Sequence, residues 1–269
     1  MFPLLFKLIS APLLLATTSL VGRRWGTAVG GALAAVPIVA GSIAFFVTLE
    51  NGPEFGSRTA AATLVGVCSL AWYSLAYARS SGRFGWPVCL VFAYAAVAVA
   101  SLAVIPLANA PGFLVFAIAV AALAVAYRLM SPVMPGPRQS PPVWDIPARM
   151  VTGAVLVVAL TGLAQSLGPQ LSGLLAAFPI VFTVLLVFTH RHEGAERARG
   201  LLRGFVVGLV ATSLFLEVVA DGLGPLGLGS TFVLAVSAFV AYQAVVISRM
   251  SRTAGRSAPV SVELAARLD

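Results

Sequence analysis

Long apolar runs separated by short polar clusters set the pattern of this chain. Nine such runs cover approximately 2–21, 25–49, 59–79, 86–105, 112–130, 149–167, 170–190, 203–221 and 229–248. Each is near the roughly 20 residues that a helix needs to cross a bilayer. None alternates polar and apolar residues as a transmembrane β-strand does. The prediction is an all-α polytopic membrane protein with nine transmembrane helices. Lys7 interrupts the first run and no small-residue cleavage motif follows it, which argues against a removable leader. Two stretches depart from the pattern. Residues 131–148 hold six prolines; proline fixes φ and has no N–H to donate, so this reads as an extended loop. Residues 250–269 form a polar tail.

The pattern also repeats in detail. Residues 26–39 read GTAVGGALAAVPIV and residues 168–181 read GPQLSGLLAAFPIV, identical at eight of fourteen positions at an offset of 142. The register continues without a gap through Phe46/Phe188, Gly52/Gly194, Glu54/Glu196 and Gly66/Gly208. Apolar composition alone does not align a proline, glycines and a glutamate. The offset maps runs two, three and four onto runs seven, eight and nine, and sets Lys7 against Arg149. The expected organisation is a four-helix repeat over 1–110, a linker helix over 111–130, a cytoplasmic Pro-rich loop over 131–148, a second repeat over 149–249 and a tail over 250–269. Five crossings separate equivalent helices. An odd number turns the second repeat upside down, an arrangement associated with a midplane binding site between repeats.

Charge supports the span count. The chain is 59% hydrophobic and 10% charged, against about 25% charged in soluble domains. Nine crossings place 15 of the 17 basic residues on one side, with only Lys7 and Arg58 on the other. The positive-inside rule makes the arginine-rich side cytoplasmic. The expected setting is therefore a bacterial cytoplasmic (inner) membrane, with the N-terminus outside and the C-terminus inside. The net charge of +8 does not point to nucleic acid, because the basic residues cap segment ends and form no stripe. Cys68 and Cys89 lie in apolar runs and offer neither a disulfide framework nor metal spacing.

Candidate chemistry sits on this frame. Gly31 and Gly173 lie ahead of Pro37 and Pro179 in runs two and seven. Small residues let helices approach closely, and an interior proline frees a carbonyl that a neighbour, water or substrate can satisfy. The functional reading is a pair of broken helices lining a substrate path, with Tyr73 and Gln243 as polar lining. The plainer reading is close packing around a tolerated kink, with Tyr73, Tyr77, Tyr242 and Gln243 as interhelical bonds or interface anchors. Glu54 and Glu196 follow the two runs. Asn51-Gly52-Pro53-Glu54 fits a helix N-cap with its acid three residues on; the alternative is a pair of gate or proton-coupling carboxylates on opposite membrane faces. Glu217 lies one turn inside Asp221, at a depth of about 6 Å. An intramembrane carboxylate is a functional hypothesis by default, so Glu217 is the third such candidate, although its counterpart in the first repeat is Leu75. His190 and His192 lack a third ligand cluster, so a polar loop is expected there, not a metal site. Walker A, HExxH and GxSxG motifs are absent from the sequence; neither enzymatic activity nor a cofactor is expected.

The stretch LSGLLAAFPIVFTVLLVFTHRHEGAERARGLLRGFVVG resembles the core of the GlpM family of small four-helix bacterial inner-membrane proteins. The shared pattern is a small-residue approach to a mid-helix proline, a polar turn, and an Arg- and Gly-containing start to the next helix. The likeness covers 149–248 and, more weakly, 7–106, and implies four-helix units that pair. The layout is also similar to fused dual-topology proteins such as fluoride channels and small multidrug transporters. That similarity is architectural only, because the motifs of neither are present. The expected function is a secondary transporter or exporter of a small or amphipathic solute by alternating access, the solute being apolar, aromatic or lipid-like. The expected partners are the lipid bilayer, that solute and a second copy of the chain. Two alternatives stand beside it: a non-transporting accessory or structural subunit of an envelope system, and a symmetric-repeat channel with a continuous polar pore.

Overall fold

The computed structural model describes residues 2–104, 106–107, 110–133, 141–159 and 179–256. Every regular element among them is helical. The first six are α1 (Phe2–Trp25), α2 (Thr27–Ala34), α3 (Ile38–Asn51), α4 (Pro53–Ser80), α5 (Trp86–Val104) and α6 (Gly112–Leu129). Then come α7 (145–159), α8 (Ile180–Glu193) and α9 (Ala195–Arg256). Four helices, α4, α5, α6 and α9, are long and apolar enough to cross a membrane. The chain is thus a helical membrane protein.

Proline and glycine decide where the apolar runs break. The run over 25–49 is two helices, because α2 ends at Ala34 and α3 starts after Pro37, whose φ of −79° and ψ of 47° leave the helical region. Pro179 has nearly the same geometry, φ −79° and ψ 61°, and α8 starts directly after it. α4 begins at Pro53, several residues before the apolar run it carries, since proline at the first helical position forfeits no hydrogen bond. α7 begins at 145, inside the stretch expected to be loop. No separate loop divides runs eight and nine. Helix continues past Asp221 to a corner at Pro225 and Gly227, where φ of 72° and ψ of 172° split α9 into two limbs.

The sequence offset reappears in the backbone. α3 and α8 both have 14 residues and start and stop 142 positions apart. Each closes on a glycine of positive φ, Gly52 at 88° and Gly194 at 90°, a conformation that only glycine adopts without strain. The amides of Gly41 and Thr183 each return to the preceding proline carbonyl at 2.7 Å.

α2 is the most enclosed element, and adjacent glycines explain how. A methyl on Gly30 would stand 2.8 Å from the Thr18 carbonyl of α1, and one on Gly31 would overlap the Leu201 carbonyl of α9. One helical step of about 100° aims successive residues at different neighbours. From the other side Gly204 and Gly208 meet the backbone of Ala28 and Ala32. These pairs ascend together, so α2 and the first limb of α9 run in the same direction with their backbones in contact. α4 packs against α5, α6 and α9. The core between them includes Leu64, Tyr73, Tyr77, Leu123, Leu202 and Leu216.

Candidate functional site

The break at Pro37 loosens the backbone bonding at the end of α2, and α9 adds side-chain donors there. Gln243, on the second limb, donates its Nε2 to Ala32 O at 2.7 Å. Thr212, on the first limb, donates its hydroxyl to Ala35 O at 2.5 Å. The Ala35, Val36 and Ile38 amides close the remaining turns on Ala32, Leu33 and Val36. Gln243 is 4% exposed and its Oε1 has no hydrogen-bond partner. Gln243 therefore seals the broken helix and is not an open lining group at that amide.

Beside the break lies a groove of about 570 Å³, in the size range of small-molecule sites. Its floor is Pro37, Ile38 and Gly41, and its walls are Phe45, Phe46, Phe215, Phe232, Val236, Phe239 and Val240. The rings of Phe45 and Phe232 meet edge to face at 5.1 Å between centroids. Ser42 brings a hydroxyl to the lining, but that hydroxyl is turned onto Ile38 O. Val236 and Val240, on the outer rim, are 50% and 55% exposed.

At the corresponding positions beside Pro179, polar aromatic side chains meet. The hydroxyls of Tyr73 and Tyr94 both reach Thr183 Oγ1, at 3.0 and 2.8 Å. Their rings meet edge to face at 5.4 Å. One turn further along, Tyr77 bonds His190 Nδ1 at 2.9 Å. The structure therefore places Tyr73 beside Pro179, across α4 and α8. Gly173 lies outside the described residues.

The two regions are related position by position. At the offset of 142, Tyr73 corresponds to Phe215, Thr183 to Gly41 and Tyr94 to Val236. Tyr73 touches Thr183, and Phe215 lies 3.1 Å from where a methyl on Gly41 would be. The contact recurs with its partners exchanged between halves.

The three candidate carboxylates occupy separate places. Glu54 is exposed in the first turn of α4 and pairs with Arg58 at 2.6 Å. Asn51 does not cap that helix: it ends α3, and Gly52 takes the N-cap position with no side-chain bond. Glu196, in the first turn of α9, pairs with Arg199 at 2.8 Å. Glu217 is half-buried against Gly112, where α6 starts, with Asp221 beside it; its Oε2 is buried without a hydrogen bond.

A buried ionic cluster was missed by sequence reasoning. Asp145 is 0% and Arg149 2% exposed. Asp145 receives Arg23 at 2.7 Å, Arg149 Nε at 2.9 Å and His192 Nδ1 at 2.6 Å. The Nε approach is electrostatic, because its angle is not that of a hydrogen bond. Arg149 reaches on to Glu193 at 3.3 Å, Thr189 at 3.2 Å and Ser19 at 3.4 Å. The cluster ties the end of α1 to the start of α7 and the end of α8. The readable signal was the i,i+4 spacing of Asp145 and Arg149, hidden because Asp145 stands among prolines. Thr183 and Thr212 carried no signal: a lone threonine in an apolar run reads as filler. Among the described residues, no group of three or more His, Cys, Asp and Glu side chains could hold a metal.

No protein-family profile, curated protein or solved structure matches the chain.

Proposed function

We infer that the chain is a secondary transporter or exporter of small apolar or amphipathic solutes, working by alternating access between two four-helix halves of opposite orientation. The observation that carries this reading is the helix break at Pro37 together with the start of α8 at Pro179, matched in cap geometry and joined by contacts whose partners exchange between halves. Such breaks are where transporters of inverted repeats bind their cargo. Helix direction supports the inversion. α4 doubles back on α3 at Gly52, bringing Gly56 against Thr48, whereas the first limb of α9 runs with α2. The equivalent helices α4 and α9 therefore point opposite ways, as nine crossings require. The four-helix unit of the GlpM resemblance fits the same reading, with the N-terminus outside and the arginine-rich side in the cytoplasm.

The groove beside Pro37 has an apolar lining, which supports a binding site for such a solute over a continuous polar pore. Glu217 is the proton-coupling candidate on this reading, being the carboxylate that lies within an apolar run and has a buried, unbonded oxygen. Reconstituted flux tests the proposal. Pro37→Ala and Pro179→Ala, each restoring a helical donor, should each lower solute flux at least tenfold while leaving the protein monodisperse. Undiminished flux in both variants would sink it, and an absence of flux for any solute in a broad panel would favour the accessory-subunit alternative.

A further inference from the structure

The groove and the corresponding positions beside Pro179 differ by a specific set of side chains, and the difference describes a ligand. At the centre, Val236 of the second half stands where the Pro179 site has Tyr94 of the first, and Gly41 stands where it has Thr183. Around the edge the change runs the other way. Phe45, Phe232 and Phe239 replace Val187, Leu90 and Val97. One site thus holds at its centre a tyrosine ring supplied by the opposite half. The other lacks that ring and surrounds the space with phenylalanines.

We propose that this groove binds an uncharged aromatic solute, whose ring takes the place that Tyr94 fills at the site beside Pro179. Three observations select that chemistry. The vacated group is an aromatic ring. The walls carry five phenylalanines, Phe45, Phe46, Phe215, Phe232 and Phe239, whose faces and edges favour another ring by about 0.5–1.5 kcal/mol per pair beyond area burial. Among the described residues no charged side chain lines the groove and its one hydroxyl, Ser42, is turned to backbone, so an ion would lose its hydration without compensation. The rim at Val236 and Val240 is exposed and apolar, which suits entry of a solute dissolved in the hydrocarbon layer. The inference deepens the transport reading by naming the class of cargo, but binding itself does not require transport.

The test is equilibrium binding of tritiated phenanthrene to the purified full chain in lipid nanodiscs, with protein-free nanodiscs subtracted. The expected result is a saturable component, displaced by unlabelled phenanthrene and not by hexadecane, a mimic of a lipid chain. Val236→Tyr returns the missing ring, and Gly41→Thr fills the opposite wall. Each should weaken binding at least tenfold with an unchanged melting temperature. Two variants are used so that misfolding of one leaves the other decisive. The proposal is overturned if the natural chain shows no saturable component, if a well-folded variant binds as tightly as the natural chain, or if hexadecane competes equally and the groove is an acyl-chain slot. Binding without flux would overturn the transport reading alone; flux without binding would overturn this inference alone.

Discussion

Asp145 and Arg149 show how much a single residue can matter in this fold. Both are buried, and each compensates the other's lost hydration. Removing one partner of a buried pair typically costs about 3–5 kcal/mol, because the remaining charge is stranded, whereas replacing both with apolar groups is often neutral. Asp145→Ala should therefore lower thermal stability strongly, by a margin readable in a fluorescence-detected melt. The double replacement Asp145→Ala with Arg149→Met should recover a large part of that loss. A double variant no more stable than Asp145→Ala would mean that Arg23 and His192, not Arg149, govern the cluster. Gln243 acts on a smaller scale. It adds a bond from α9 to the Ala32 carbonyl beside the break, and one interhelical hydrogen bond is worth about 0.6–2 kcal/mol in a membrane.

At the scale of elements, glycine placement sets the geometry. Gly31, Gly204 and Gly208 let α2 and α9 touch through their backbones. Gly31→Leu should prevent this packing and abolish monodisperse protein on size exclusion. Gly66 makes the contrast, since a methyl there meets nothing within 4 Å. Gly66→Ala should be tolerated and raise stability by about 0.5–1 kcal/mol, the helical preference of alanine over glycine. Equal disruption by both changes would refute the close-approach explanation. The helix breaks were legible in the sequence because proline acts locally, on its own backbone and that of the residue four before it. The helix starts at Pro53 and Asp145 and the corner at Gly227 were not. Hydropathy reports where a segment is apolar, whereas a helix extends through polar residues as long as its backbone bonds are made.

For the molecule as a whole, the decisive property is the relation between halves. The proposed opposite orientation of the halves would put the turn holding Glu54 and the turn holding Glu196 on opposite membrane faces. Reporter fusions or cysteine labelling at these two positions should give opposite signals in intact cells; the same signal at both would eliminate the inverted arrangement. The turns share one backbone conformation at Gly52 and Gly194, so any difference in accessibility reflects topology and not local structure.

By itself the sequence determined the helical class, the membrane setting, the break at Pro37, the helix start behind Pro179 and the phrase repeated at a constant offset. Each of these is written in local chemistry: apolar length, proline and glycine positions, and identities at a constant offset. Tertiary structure decided which side chains meet beside Pro37 and beside Pro179. Tyr94, Thr183 and Tyr73 come from three helices, and Asp145, Arg23 and His192 likewise lie far apart in the chain. Whether such groups meet depends on how helices pack, a property of side-chain volumes summed over distant segments that no single stretch of sequence contains. The offset named the residue pairs to compare, but only packing shows that Tyr94 meets Thr183 beside Pro179 while a groove bounded by phenylalanines lies beside Pro37.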